Sequence, residues 1–326
     1  MKFYFTHNNS FQKIAAIALV FVFVFFGLGL GVGNILEKFS KPIVPVYGTL
    51  PQSEDAIKQN NKQLHYSALL THKDFFEQAY EKAEAMSFIE DQDQDLRIWM
   101  RCEEKISRAA SRTGEVRRTN GEFLTKQIAK CASPEDVFGA IVNHHLLAPD
   151  RIARVFSALA TIKTKTIVLI SPNHFSRGRG DIISSSYNWK TPYGILQSDG
   201  ALIRKLSASA GVSIDEEPFK EEHGIFNIAP FIKKSFPNAR IVPLIIKDSF
   251  QLSGKKDEEA SLLNKIIPED ALIIGSFDFS HTLPPEAAEF HDEKSLAVLE
   301  SLDYAGTDFL DIDSKPGLYI FLKLMQ

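Results

Sequence analysis

The apolar residues of this chain fall into two textures. The first is an unbroken run near the start, where residues 14–32 read IAAIALVFVFVFFGLGLGV, without a charge and without a polar face. About 19 such residues in a helix cover roughly 30 Å, the thickness of a bilayer's hydrocarbon core. The run predicts an N-terminal transmembrane helix. Lys2 and Lys13 precede it and Lys38 and Lys41 follow it, so the charge bias across it is weak. Gly31 and Gly33 offer a small-x-small cleavage pattern. The run nevertheless exceeds the apolar core of about 7–15 residues usual in a signal peptide, which favours an uncleaved anchor. The expectation is a single-pass membrane protein, anchored by residues 1–40, with its body outside the cytoplasm. Three prolines and a polar composition mark residues 41–61 as a linker.

A helical segment is expected over residues 62–133, partly packing on the main domain. Phe75, Phe76, Ala79, Tyr80 and Ala83 recur at helical spacing behind Asp74, an acid suited to a first turn. Residues 94–112 predict a second helix, and 122–131 a short third. On the second, Arg97, Arg101, Lys105, Arg108 and Arg112 share one face. That stripe is either a contact for anionic lipid or polymer, or a solvated basic face. Cys102 and Cys131 are either a disulfide, permitted outside the cytoplasm, or two buried thiols.

The second texture occupies residues 134–326, where short Val- and Ile-rich runs alternate with helical patterns. GAIV (139–142), TIVLI (166–170), ARIVPLII (239–246) and ALIIG (271–275) read as buried strands. Residues 149–160, 199–209, 224–235 and 257–267 read as helices, and 181–187 and 193–198 as further strands. The alternation predicts a three-layer α/β/α domain with a central mixed sheet.

Composition narrows the class without changing this picture. The 326 residues are 44% hydrophobic and 24% charged, with a formal net charge of −4. These values exclude a disordered chain and a disulfide miniprotein, and they argue against a nucleic-acid partner. The chain contains no phosphate-binding glycine loop, no GxSxG elbow and no CxxC pair.

The candidate chemistry is histidine. Ligands in open α/β sheets collect where strands end, and five of the nine histidines lie at strand ends or helix starts. His144 and His145 follow the first buried strand and His174 the second. His223 opens a helix, and His281 follows the last buried strand together with Asp278 and Ser280. Imidazole is the commonest transition-metal ligand, so iron, copper or zinc would suit such a rim. Glu222 precedes His223, and a neighbouring carboxylate can orient an imidazole acting as a general base. Asn173, Arg177 and His145 flank these positions as candidate substrate contacts. Trp189, in a hairpin lip with Thr191, Pro192, Tyr193 and Gly194, is either a stacking platform or an ordinary packing aromatic.

Five motifs carry a resemblance: IVNHHLLA, LISPNHFSRG, NWKTPYGILQSD, EEHGIFNIAPFI and GSFDFSH, in that order. In combination they resemble the Memo family, also called AmmeMemoRadiSam system protein B, over about Phe138 to Leu302. That family is similar to the class III extradiol dioxygenases, which cleave catechol rings with non-haem iron. The resemblance implies that His144 and His174 bind a metal, iron or copper first, and that His223 is the acid/base. It puts the third metal ligand in the GSFDFSH stretch. There a glutamate or cysteine is usual and this chain has Ser280, so His281, Asp278 or water would take that place. Asn143 also departs from the pattern, where proline is usual. Further elements beyond Gln326 would be expected.

Taken together, the sequence predicts a membrane-anchored, metal-dependent oxidoreductase acting on a small molecule that the sequence does not identify. Its catalytic residues would be His223, Glu222 and Asp278, and its metal ligands His144, His174 and His281. His145, Asn173, Arg177, Trp189 and Ser280 would face the substrate. The alternatives are a non-catalytic module that binds a metal or ligand in a vestigial dioxygenase pocket, and a metal-assisted hydrolase.

Overall fold

The computed structural model describes residues 64–85, 137–280 and 283–326. The chain divides into two units, residues 1–61 and 62–326, and every described residue belongs to the second. The apolar run at 14–32, the linker, the basic stripe, Cys102, Cys131 and His281 lie outside the described residues.

A mixed sheet organises the unit. Its strands are β1 (Leu64–Tyr66), β2 (Gly139–Val142), β3 (Thr166–Pro172), β4 (Ile182–Ser184), β5 (Asn188–Thr191), β6 (Gly194–Ser198), β7 (Val212–Ile214), β8 (Arg240–Ile246) and β9 (Leu272–Ser276). The order is β1-β5-β6-β8-β3-β9-β2, with β4 joined to β8 and β7. β2, β9, β3 and β8 run parallel. β4 lies antiparallel along the C-terminal half of β8, at Leu244 to Ile246, while β6 pairs with its start at Arg240 and Ile241.

The helices are α1 (Lys73–Ala85), α2 (Pro149–Leu159), α3 (Gly200–Ser209), α4 (His223–Phe226), α5 (Ala229–Ser235), α6 (Lys256–Ile266), α7 (Pro285–Ser301) and α8 (Lys315–Leu324). The expected helix over 224–235 is two pieces. Pro230 has no N–H to bond the carbonyl of Phe226, and that carbonyl instead accepts from the N–H of Ala68 at 3.0 Å. The short strands β1, β5 and β7 were not predicted. Each has three or four residues, too few to show a period.

Side-chain alternation along the buried strands divides the core in two. Ile167 and Leu169 of β3, Ile241 and Ile245 of β8, and Ala140 and Val142 of β2 join one cluster with Phe76, Phe156 and Phe231. Val168 and Ile170, Val242 and Leu244, and Ile141 join the other with Leu206, Leu263 and Phe321. Helices therefore cover both faces of a central mixed sheet, as the strand pattern implies.

The membrane assignment is corrected. A span needs about 20 predominantly apolar residues. The longest described helix, α7, has 17 residues and carries Glu286, Glu289, Asp292 and Glu293. Among the described residues no helix is long and apolar enough to cross a membrane. The expected single-pass anchor, membrane partner and extracytoplasmic placement thus have no support among the described residues.

Candidate metal centre

Because β2, β3 and β9 are parallel, their C-terminal ends lie at one edge of the sheet. β2 leads into His144 and His145, β3 into Asn173 and His174, and β9 into Asp278. The start of α4 adds Glu222 and His223. The ligand atoms of His144, His174 and His223 lie within 4.8 Å of one another, as do those of His144, His145 and Asp278. Among the described residues these groups are able to hold a metal ion.

His144 is fully buried. Its Nδ1 lies 3.3 Å from the Ser276 carbonyl oxygen and 3.2 Å from Ser276 Oγ, whose own proton goes to the Gly224 carbonyl at 2.7 Å; both neighbours accept, which assigns the proton to Nδ1. The Nε2 lone pair then points inward. It has no hydrogen-bond partner and sits 3.4 Å from Asp313 Oδ2 and 3.5 Å from Asp278 Oδ2. Burial holds the His144 pKa below the usual histidine range, against the pull of Asp278 and Asp313. A neutral lone pair facing two carboxylate oxygens calls for a cation between them. The donor set therefore fits a metal ion.

His174 is held by Glu222, itself buried at the N-cap of α4. The carboxylate accepts from His174 Nδ1 at 2.5 Å and from the His174 backbone N–H at 2.9 Å. The Nε2 of His174 faces Asp313 Oδ2 at 3.7 Å. Burial opposes the charged form, yet Asp313 and Glu222 outweigh it and raise the His174 pKa to about 9. His223 stacks on His174, with ring centroids 3.9 Å apart. Burial, and next the charge of His174, push the His223 pKa down to about 3. The proton affinities of two touching imidazoles are thus driven apart.

Asp278 accepts from the His144 backbone N–H at 3.1 Å and pairs with His145 Nδ1. Burial works against its ionisation, but His144 and His145 prevail and hold its pKa below the usual carboxylate range. Asn227 donates to the His144 carbonyl at 2.9 Å, bracing the loop from the other side.

The remaining candidates are placed differently. Asn173 closes its own loop, accepting from the Arg177 N–H at 3.1 Å and donating to the Arg177 carbonyl at 2.8 Å. The Arg177 side chain is half exposed and pairs with Glu221 at 2.5 Å. Trp189 is fully buried in the core against His65, at 4.8 Å between ring centroids, and Phe219, at 6.2 Å. It packs as an ordinary core aromatic. Ser280 Oγ is buried without a hydrogen-bond partner. Sequence reasoning missed Asp313. It follows no buried strand and belongs to none of the five motifs. An isolated bridge between Phe279 and Ile312 brings it in, and nothing in the sequence pattern marks that bridge.

Comparison with known proteins supplies the wider context. A family model described as Memo-like protein matches residues 108–311. The MEMO1 family protein of Pyrobaculum arsenaticum is 28% identical over 177 residues, 53% of this chain and 63% of its own. That of Caldivirga maquilingensis is 30% identical over 148 residues, 44% of this chain and 52% of its own. That of Aquifex aeolicus is 31% identical over 138 residues, 42% and 51% respectively. The chain spans about half to two thirds of the length of these relatives.

Proposed function

The chain belongs to the Memo-like family, and from that premise we propose that its histidine cluster is the metal centre of an oxidoreductase of the extradiol-dioxygenase type. His144 and His174 hold the metal, iron or copper, and His223 moves a proton at a small-molecule substrate. The observation that carries this reading is the Nε2 atom of His144, buried and without a hydrogen-bond partner among converging histidines and carboxylates.

A bound iron or copper ion would supply Lewis-acid and redox chemistry towards a substrate oxygen. The protein's own groups do the rest. Ser276 fixes the tautomer of His144, and Glu222 fixes the ring of His174. Such outer partners set ligand orientation and basicity. His223, lying against His174, is the group placed to move a proton at the substrate, and in the metal-free site burial and the charge of His174 keep it neutral; loss of the His174 proton to a metal would restore part of its basicity. Asp278 keeps His145 beside it, and the half-exposed His145 forms part of the substrate-facing wall.

A binding module without turnover is the second reading. It is favoured by burial, since His144, Glu222 and Asp278 are shut away and only His145 and His174 retain sizeable exposure. Elemental analysis of the purified full chain, compared with His144→Ala and His174→Ala, tests the metal centre. Oxygen uptake by iron-loaded protein with catechols then separates the two readings. Metal that persists in both variants sinks the first reading, and uptake that requires His223 sinks the second.

A further inference from the structure

We infer that Asp313 is the third protein ligand of the metal, replacing the donor that the family motif would place at Ser280. The inference rests on the reading that His144 and His174 hold the ion. Asp313 Oδ2 lies 3.4 Å from His144 Nε2 and 3.7 Å from His174 Nε2. Nitrogen and oxygen donors bound at about 2.0–2.2 Å to one tetrahedral or octahedral ion stand roughly 3.0–3.6 Å apart, so each of these two distances is near that of a donor pair on one ion. Asp313 is in neither group whose ligand atoms already lie within 4.8 Å of one another, so binding would draw the two imidazoles in around it. The nearest rival, Asp278 Oδ2, is 3.5 Å from His144 Nε2 but pairs with the His145 side chain, whereas Asp313 Oδ2 accepts from a backbone N–H, that of Asp278, and faces both His144 and His174. The Asp313 side chain is only 7% exposed, and its Oδ1 lacks a hydrogen-bond partner.

The fold fixes this carboxylate where a ligand is needed. The Asp313 N–H donates to the Asp278 carbonyl, and the Asp278 N–H donates to Asp313 Oδ2, both at 3.1 Å. The Phe279–Ile312 bridge lies beside them. β9 ends at Ser276, α7 follows, and the Phe279–Ile312 bridge brings the chain back, so a residue 33 positions after Ser280 lies beside Asp278. Asp313 lies beyond the stretch that matches the family, which ends at 311. Two imidazoles and one carboxylate make the donor set of a non-haem iron site with open positions. A serine hydroxyl is a poor ligand by comparison.

The test is cobalt(II) titration of the metal-free full chain, read by calorimetry and absorption. Wild type is expected to take up one ion, and His174→Ala to lose it. Asp313→Asn keeps an oxygen for the Asp278 N–H, and its affinity should fall by at least about tenfold, since even the loss of an outer partner costs about 10–100-fold. Asp313→Cys should add a thiolate-to-cobalt charge-transfer band that wild type lacks, while Ser280→Cys should not. Affinity within about twofold of wild type in Asp313→Asn, or a band in Ser280→Cys alone, overturns the assignment. If His144→Ala and His174→Ala also bind normally, the metal-centre reading itself has failed. If only they lose the ion, the fault lies with Asp313.

Discussion

Glu222 holds His174 twice, accepting from Nδ1 on one carboxylate oxygen at 2.5 Å and from the backbone N–H on the other at 2.9 Å. The first oxygen also caps α4 through the Gly224 N–H at 3.1 Å. One buried carboxylate thus ties the β3 loop to the start of the helix that carries His223. Glu222→Ala removes the cap and frees the His174 ring. Metal affinity is expected to drop by about 10–100-fold and stability by about 1 kcal/mol. Calorimetric titration and denaturant melts measure the two effects, and an unchanged affinity rejects the orienting role.

Metal uptake should depend on pH through His174. Its pKa without metal is raised to about 9 by Asp313 and Glu222 against the effect of burial. Below that pH the ring is protonated, and a metal must displace the proton to bind. Apparent affinity should therefore increase as pH rises towards about 9 and then level off, with close to one proton released per ion at pH 7. Titrations in buffers of different ionisation enthalpy count that proton. Release of none at pH 7 would contradict a protonated His174.

Much of this architecture was legible in the sequence. The runs at 139–142, 166–170, 239–246 and 271–275 became β2, β3, β8 and β9, because strands buried on both faces are apolar at nearly every position. Histidines placed just after such strands had to share a rim once the strands proved parallel. What could not be read depended on long-range contact. Asp313 reaches the centre only through a one-residue bridge, and Trp189 looks the same in sequence whether it lines a pocket or fills a core. The helix expected at 224–235 broke where Pro230 left the Phe226 carbonyl to a distant N–H.

His65 of β1 ties the outer strands to the loop after β7. Its Nε2 lies 2.9 Å from both Ser185 Oγ and Glu216 Oε2. Burial works against ionisation of Glu216, but His65, Ser185 and Ser186 outweigh it and depress its pKa below the ordinary 4.5. A depressed carboxylate stabilises the fold fully above the unfolded value and loses that contribution as pH falls through the folded one. Stability should therefore decline on acidification from near pH 4.5 downwards, and Glu216→Gln should flatten that limb. Melting temperatures between pH 3 and 7 decide the point. An identical acid limb in the variant would remove Glu216 from the account.

Gly224 is required by crowding beneath α4. A Cβ there would stand 1.9 Å from Ser171 Oγ and 3.2 Å from Ser171 Cβ. Gly224→Ala should destabilise by about 1–3 kcal/mol, the usual cost of overpacking a core. The Ser171 hydroxyl is buried without a hydrogen-bond partner. Ser171→Ala alone should therefore be close to neutral, since no bond is lost. In the double variant the shortest contact disappears and the next lies at the edge of tolerance. The cost of Gly224→Ala should then fall below about 1 kcal/mol, because neighbouring substitutions that share one clash are not additive. Denaturant melts of the four proteins in this cycle measure the coupling. If the two costs simply add, the close approach of α4 to β3 is not what demands glycine at this position.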